Sequence, residues 1–268
     1  MKLQKVYYYS DEVNDDFAGT HITRKELPED YEYLNKGFWL KLRRLIVYHC
    51  IIQPVAFIYR KFIKRVKFVD KKKMKGFKKR GVFLYGNHTS MILDAINPSC
   101  LAYPRSADVI INADAMSIKG IRWLLKTIGG FPIPEGFHAM SRFNDAIKEA
   151  IGKKHWVAIY PEAHIWHYYT KIRPFPSTSF AYPVKCDAPV FSYTMTYHKR
   201  KHSKYPKRIL YIDGPFFADK TLPFKAAVQK LRDEVYAAMC KRAESSDCEY
   251  IKYVYRPKEE TEKAEAEQ

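Results

Sequence analysis

The run Val82-Phe83-Leu84-Tyr85-Gly86-Asn87-His88-Thr89-Ser90-Met91-Ile92-Leu93-Asp94 decides how this chain folds. Four apolar residues between Gly81 and Gly86 predict a buried strand, which puts His88 where a strand ends and a helix begins. That junction is where α/β sheets hold their chemistry. An imidazole titrates near neutrality, and a carboxylate on one ring nitrogen fixes its tautomer and stabilises the imidazolium. His88 and Asp94 are therefore a candidate general-base pair, able to take a proton from a hydroxyl. On these residues alone a second reading stays open, in which both only cap the helix or satisfy backbone groups.

Outward from this run, strands alternate with helices. Residues 108–112, 156–160, 190–196 and 209–212 read as strands, and 131–134 as extended chain. Residues 115–128, 138–152 and 222–243 place apolar groups at helical spacing, with Gly129-Gly130 and Gly152 as stops. Asn97-Pro98 and Tyr103-Pro104 punctuate a short helix after Asp94. The expected fold class is α/β, a mixed, mainly parallel sheet flanked by helices, over a unit spanning residues 68–255.

Residues 37–67 stand apart from that pattern. A mostly apolar stretch from Leu45 to Tyr59 lies between Lys41-Leu42-Arg43-Arg44 and Arg60-Lys61-Phe62-Ile63-Lys64-Arg65. It is too short to span a bilayer, which needs about 20 residues, and its cationic flanks predict a helical segment lying in a membrane interface. Residues 1–36, rich in Tyr, Asp and Glu, read as an irregular arm on the surface, and residues 256–268 as a disordered charged tail. Between anchor and strand, Asp70 to Arg80 carries six lysines and an arginine.

The chain has 268 residues, 47% of them hydrophobic, and a formal charge of +18, so its partner is anionic. A membrane surface, an acidic carrier protein or nucleic acid would satisfy that charge. No nucleic-acid partner is expected, since no recognised motif interleaves the aromatics with the cations. The five cysteines show no CxxC spacing, which predicts reduced thiols, no metal site and a cytosol-facing protein. The first thirty residues are polar and acidic, unlike a signal peptide.

Three motifs together resemble the glycerolipid acyltransferases of the lysophosphatidic acid acyltransferase type. Asn87-His88 with Asp94 is similar to their first motif, with five residues rather than four between His and Asp; since one residue turns a helix by about 100°, the extra residue must be absorbed before the helix becomes regular. Gly129-Gly130-Phe131-Pro132-Ile133-Pro134-Glu135 resembles the second motif, with Glu135 where the family carries Arg. Tyr160-Pro161-Glu162 resembles the third, with Ile165 at the place of its arginine. The resemblance implies that His88 is the base and Asp94 its orienting partner. Asn87, Glu162, Lys171, Arg173 and Arg142 are then expected to bind substrate, Lys171 or Arg173 replacing the lost phosphate-binding charge. It also implies acyl transfer from acyl-CoA or acyl-carrier protein to a hydroxyl of a lysophospholipid such as 1-acyl-glycerol-3-phosphate, without a cofactor, at the cytoplasmic face of a membrane. The competing expectation is a catalytically silent lipid-binding protein on the same fold.

Overall fold

Val82, Phe83, Leu84 and Tyr85 are all buried, which requires cover on both faces of their sheet. In the computed structural model they lie at the centre of seven strands. The structure describes residues 3, 5–18, 27, 28, 30–34, 36–117, 120 and 122–257. In chain order the elements are β1 (Lys5–Tyr9), α1 (Phe38–Arg44), α2 (Gln53–Ile58), β2 (Val66–Val69), β3 (Val82–Gly86), α3 (Met91–Ala102), β4 (Ala107–Ile111) and α4 (Arg122–Ile128). They continue as β5 (Gly130–Pro132), α5 (Phe137–Gly152), β6 (Trp156–Ile159), α6 (Ala181–Cys186), β7 (Val190–His198), β8 (Lys207–Phe216), α7 (Phe224–Ala243) and β9 (Ile251–Tyr255).

The large sheet has the order β2-β8-β7-β3-β6-β4-β5 and is parallel at every pairing except β7 with β8. It is the mixed, mainly parallel α/β sheet that the alternation predicts. Phe83 and Tyr85 point to a core shared with α5 and α7, whereas Val82 and Leu84 point to one shared with α3. The chain leaves β3 for β4, returns to β6 beside β3, then crosses to β7 on the other side. The C-terminal ends of β3, β6 and β7 therefore meet where the winding reverses, a crevice open to a ligand.

Residues 38–63 form one helix in which α1 and α2 alternate with wider π-helical turns, Leu45–Ile52 and Tyr59–Ile63, closed by bonds from Gln53 to Tyr48 and from Lys64 to Tyr59. Its polarity is reversed relative to an ordinary surface helix. Arg44, Tyr48, Gln53 and Arg60 are buried, each hydrogen-bonded into the domain. Trp39, Ile46, Ile51, Val55, Ile58 and Phe62 are exposed. Among the described residues no helix is long and apolar enough to cross a membrane.

The lysine-rich run is only partly a solvated face. Lys78 donates to the carbonyls of Leu101, Ala102 and Tyr103, and Lys71 to that of Cys100, so both cap the C-terminus of α3. Burial pushes the Lys78 ammonium down to about 8. That cap lets α3 continue through Pro98 to Ala102, longer than the punctuation at Asn97-Pro98 predicts.

The arm is not wholly irregular. β1 pairs in parallel with β9, bringing the two ends of the described chain together. Tyr33 and Leu34 enter the core on the α5 side. The small sheet rests on an aromatic cluster, with Tyr253 stacked on Trp166 at 4.8 Å and Tyr9 at 4.9 Å from the same ring. Residues 118, 119 and 121 of the expected 115–128 helix lie outside the described residues; before them Ala113–Ser117 is a 3₁₀ turn. Of the tail, residues 258–268 lie outside the described residues.

Candidate active site

The five-residue spacing is absorbed as extended chain. Asn87 to Ser90 precede the helix, and α3 begins at Met91 with Ser90 in an extended conformation. Asp94, in the first turn, turns back so that its Oδ2 accepts the N–H groups of Thr89 (3.0 Å) and Ser90 (2.9 Å). The same oxygen lies 2.8 Å from His88 Nδ1. A buried carboxylate with two backbone donors is an acceptor at this contact, so Nδ1–H donates and Nε2 is left with its lone pair outward. His88 is partly exposed, with 17% of its side-chain surface accessible, which leaves it open to a substrate.

Tyr160, at the end of β6, closes the other side of the ring. It stacks on His88 at 4.5 Å with 18° between planes, and its hydroxyl donates to the Asp94 carbonyl at 2.5 Å. That carbonyl is available because Pro98, four residues on, has no N–H to give it. A proline in the helix thus creates the acceptor that locks Tyr160 against His88. Gly86 serves the same packing, since a Cβ there would come within 2.4 Å of the Tyr193 ring, which packs edge-on against Tyr160.

Glu162 is fully buried behind the histidine. Its Oε2 accepts the His88 N–H and its Oε1 the Arg173 N–H, both at 3.0 Å. Burial pushes its carboxyl up, against the pull of the Arg173 guanidinium 3.6 Å away and of the two N–H groups. Arg173, 0% exposed, also donates to the carbonyls of His164 and Glu12. Asn87 bonds through both amide atoms to the Met195 backbone, tying the end of β3 to β7.

His88, Asp94, Asn87, Glu162 and Arg173 are therefore brought together at one strand end, with Arg173 inside the protein behind Glu162 and not facing solvent. Lys171 is exposed two residues before it, and Arg142 is exposed on the second turn of α5. Sequence reasoning missed three neighbours. Tyr160 reads as a strand end and the start of the third motif, with no role beside His88; Thr89, whose hydroxyl accepts from Tyr197 at 2.8 Å, carries no spacing signal. His167 is the third. The bonds from Trp166 N–H to the His88 carbonyl and from Tyr168 N–H to the Thr89 carbonyl, both 3.1 Å, lay its segment along the histidine. Burial pulls the His167 imidazole down, while Asp94 opposes that and His88 adds to it.

An imidazole held by a carboxylate, with a free nitrogen toward a crevice, can deprotonate a hydroxyl poised over a carbonyl. Residues 65–196 match the family model described as Acyltransferase, a span that contains β3, His88, Asp94 and Glu162. The fold is similar to the crystal structure of the 1-acyl-sn-glycerophosphate (LPA) acyltransferase PlsC from Thermotoga maritima, with a TM-score of 0.53 at 16% identity over 78% of this chain and 81% of that one. No curated protein matches the chain. Residues 65–196 thus carry an acyltransferase domain.

Proposed function

We propose that this acyltransferase moves a fatty acyl group from a thioester, acyl-CoA or acyl-carrier protein, to a hydroxyl of a lysophospholipid, with 1-acyl-glycerol-3-phosphate the acceptor to test first. The observation that carries the reading is the 2.8 Å contact of His88 Nδ1 with an Asp94 carboxylate anchored by two backbone N–H groups. His88 Nε2 takes the hydroxyl proton as the alkoxide attacks the thioester carbonyl. Asp94 stabilises the imidazolium, the tetrahedral intermediate expels the thiolate, and the imidazolium returns the proton to sulfur. Positioning two lipidic substrates supplies much of the remaining acceleration.

The reversed helix at 38–63 supports action at a membrane surface, on the cytoplasmic face in this reading. Its outward face is a continuous apolar strip too large for an ordinary solvent surface, and basic residues flank it. For the acceptor's phosphate, Lys171 is the exposed cation close to motif three, while Arg173 supports it from behind by holding Glu162. The test is transfer of radiolabelled acyl groups to a lysolipid panel by wild type and His88→Ala. Loss of a positioned base should lower the rate about 10²- to 10⁴-fold with the near-ultraviolet spectrum of the folded protein unchanged; near wild-type turnover would overturn the mechanism.

A further inference from the structure

A cavity of about 360 Å³ opens at the edge of the sheet opposite His88. Asp108 is the second residue of β4 and His155 immediately precedes β6, both strands parallel to β3, whereas His88 follows the other end of β3. The two places are separated by a strand length, about 15 Å at 3.3 Å per residue. Lys41, Arg44, His49, Lys153 and His155 line this cavity, and among the described residues its wall carries no acidic side chain.

Arg44 and His155 converge on one internal carboxylate. Asp108 is 0% exposed, with Arg44 2.6 Å from Oδ1 and His155 Nδ1 2.6 Å from Oδ2. Burying such a set is costly unless each charge is held in place. The backbone makes room for it at Gly129, whose φ is +90° and whose added Cβ would stand 2.1 Å from Asp108 Oδ1. Arg44 is thereby fixed at the cavity, and its buried Nε has no hydrogen-bond partner. His155 is oriented by Asp108 so that Nε2 is the nitrogen left over. Lys153 is shared with Glu149 at 2.5 Å, and Lys41 has no ion-pair partner among the described residues. His49 is already engaged by Gln53 and Ser106.

We propose that this cavity is a second ligand site, for a phosphate group, bound by Lys41 and Arg44, with His155 on its wall as the reporter. A guanidinium held in place with an ammonium beside it suits a phosphate's several acceptor oxygens, and the volume suits a glycerophosphate-sized head. The apolar rim is supplied by Leu45, with Phe38 and Trp39 71% and 76% exposed on the same helix. The phosphate can thus come from a lipid headgroup or from a soluble phosphate. The site does not depend on the acyl-transfer reading.

The experiment follows the histidine ring signals of the full-length protein by NMR as inorganic phosphate is added. Saturable movement of the His155 signals is expected, with affinity weakened about tenfold or more by Lys41→Glu and unaffected by Lys171→Glu. His155→Gln, which keeps a donor for Asp108, identifies the signals and guards against misfolding of a single variant. A second titration uses phosphatidate against diacylglycerol in zwitterionic micelles. Phosphatidate acting at lower concentration than inorganic phosphate supports the lipid source, and equal or weaker action supports the soluble one; either upholds the phosphate site. Movement with neither, movement that never saturates, or movement unchanged in Lys41→Glu would overturn it.

Discussion

Glu162→Gln tests whether the site is held from behind as described. The substitution keeps the shape and one oxygen but removes the charge, and one of the two N–H groups now accepted by the carboxylate, from His88 or Arg173, is left facing an amide N–H₂. Arg173, fully buried, loses its ion-pair partner, leaving its guanidinium with the carbonyls of His164 and Glu12. Breaking a buried ion pair costs about 3–5 kcal/mol, and leaving a buried N–H unsatisfied adds about 1–3 kcal/mol. A loss of about 4 kcal/mol or more is therefore expected, near a thousandfold in the folding equilibrium. Arg173→Met strands the carboxylate in the same way and should cost about 3–5 kcal/mol. The double variant should cost about as much as one single variant, because the penalty belongs to the unpaired partner, giving a coupling of about 3–5 kcal/mol. Urea unfolding followed by tryptophan fluorescence suits the assay, since the Arg173 guanidinium lies 4.9 Å from the Trp166 ring. Additive losses in the double variant, or a Glu162→Gln loss under about 1 kcal/mol, would refute the buttress.

Other outcomes are accessible with the same protein. Asp94→Asn should lower kcat by a large factor, smaller than that of His88→Ala, with little change in KM, because the 2.8 Å contact orients the base and does not touch substrate. An unchanged kcat would dissociate the pair. Because burial holds Lys78 at about 8, the folded protein sheds this proton before the unfolded chain does at the ordinary lysine value of about 10.4. The unfolded chain then holds more protons between those values, so unfolding free energy should gain an upward slope with pH there, and Lys78→Met should remove it. Phe57→Glu with Ile58→Glu on the outward face should release the protein from anionic vesicles at low salt without altering its melting temperature. Retention on the vesicles would move the contact elsewhere.

The parallel core was legible because β3 and β6 are continuous apolar runs with glycine or proline at their limits, and local pattern is enough to find such strands. His88 was legible for the same reason. The His88–Asp94 pair was legible too, but not how the extra residue is accommodated, which depends on the chain staying outside the helix until Met91. Arg173 was expected to face a ligand because arginine beside a motif suggests phosphate; its burial follows from Glu162, eleven positions away, which no local period encodes. The orientation of residues 38–63 was hidden too. Periodicity counts apolar residues, and here the polar ones, Arg44, Tyr48 and Gln53, are the inward set. β1 and β9 were invisible because each is half-exposed and tyrosine-rich, and their pairing spans nearly the whole described chain.

That last pairing sets when the site can exist. The segment beside His88 is fastened from outside: Trp166 donates to the Asp15 carbonyl at 2.8 Å, Tyr169 to Glu12 at 3.1 Å, and Tyr253 to the His167 carbonyl at 3.1 Å. Residues 5–9 leave the ribosome long before their strand partner at 251–255 has been made. A nascent chain can therefore assemble β3, α3 and β6 while the Tyr160-to-Arg173 segment is still unfastened. Competence for chemistry should arrive abruptly once residues 251–255 have emerged, and a ribosome stalled before residue 251 should display a folded sheet with no working site.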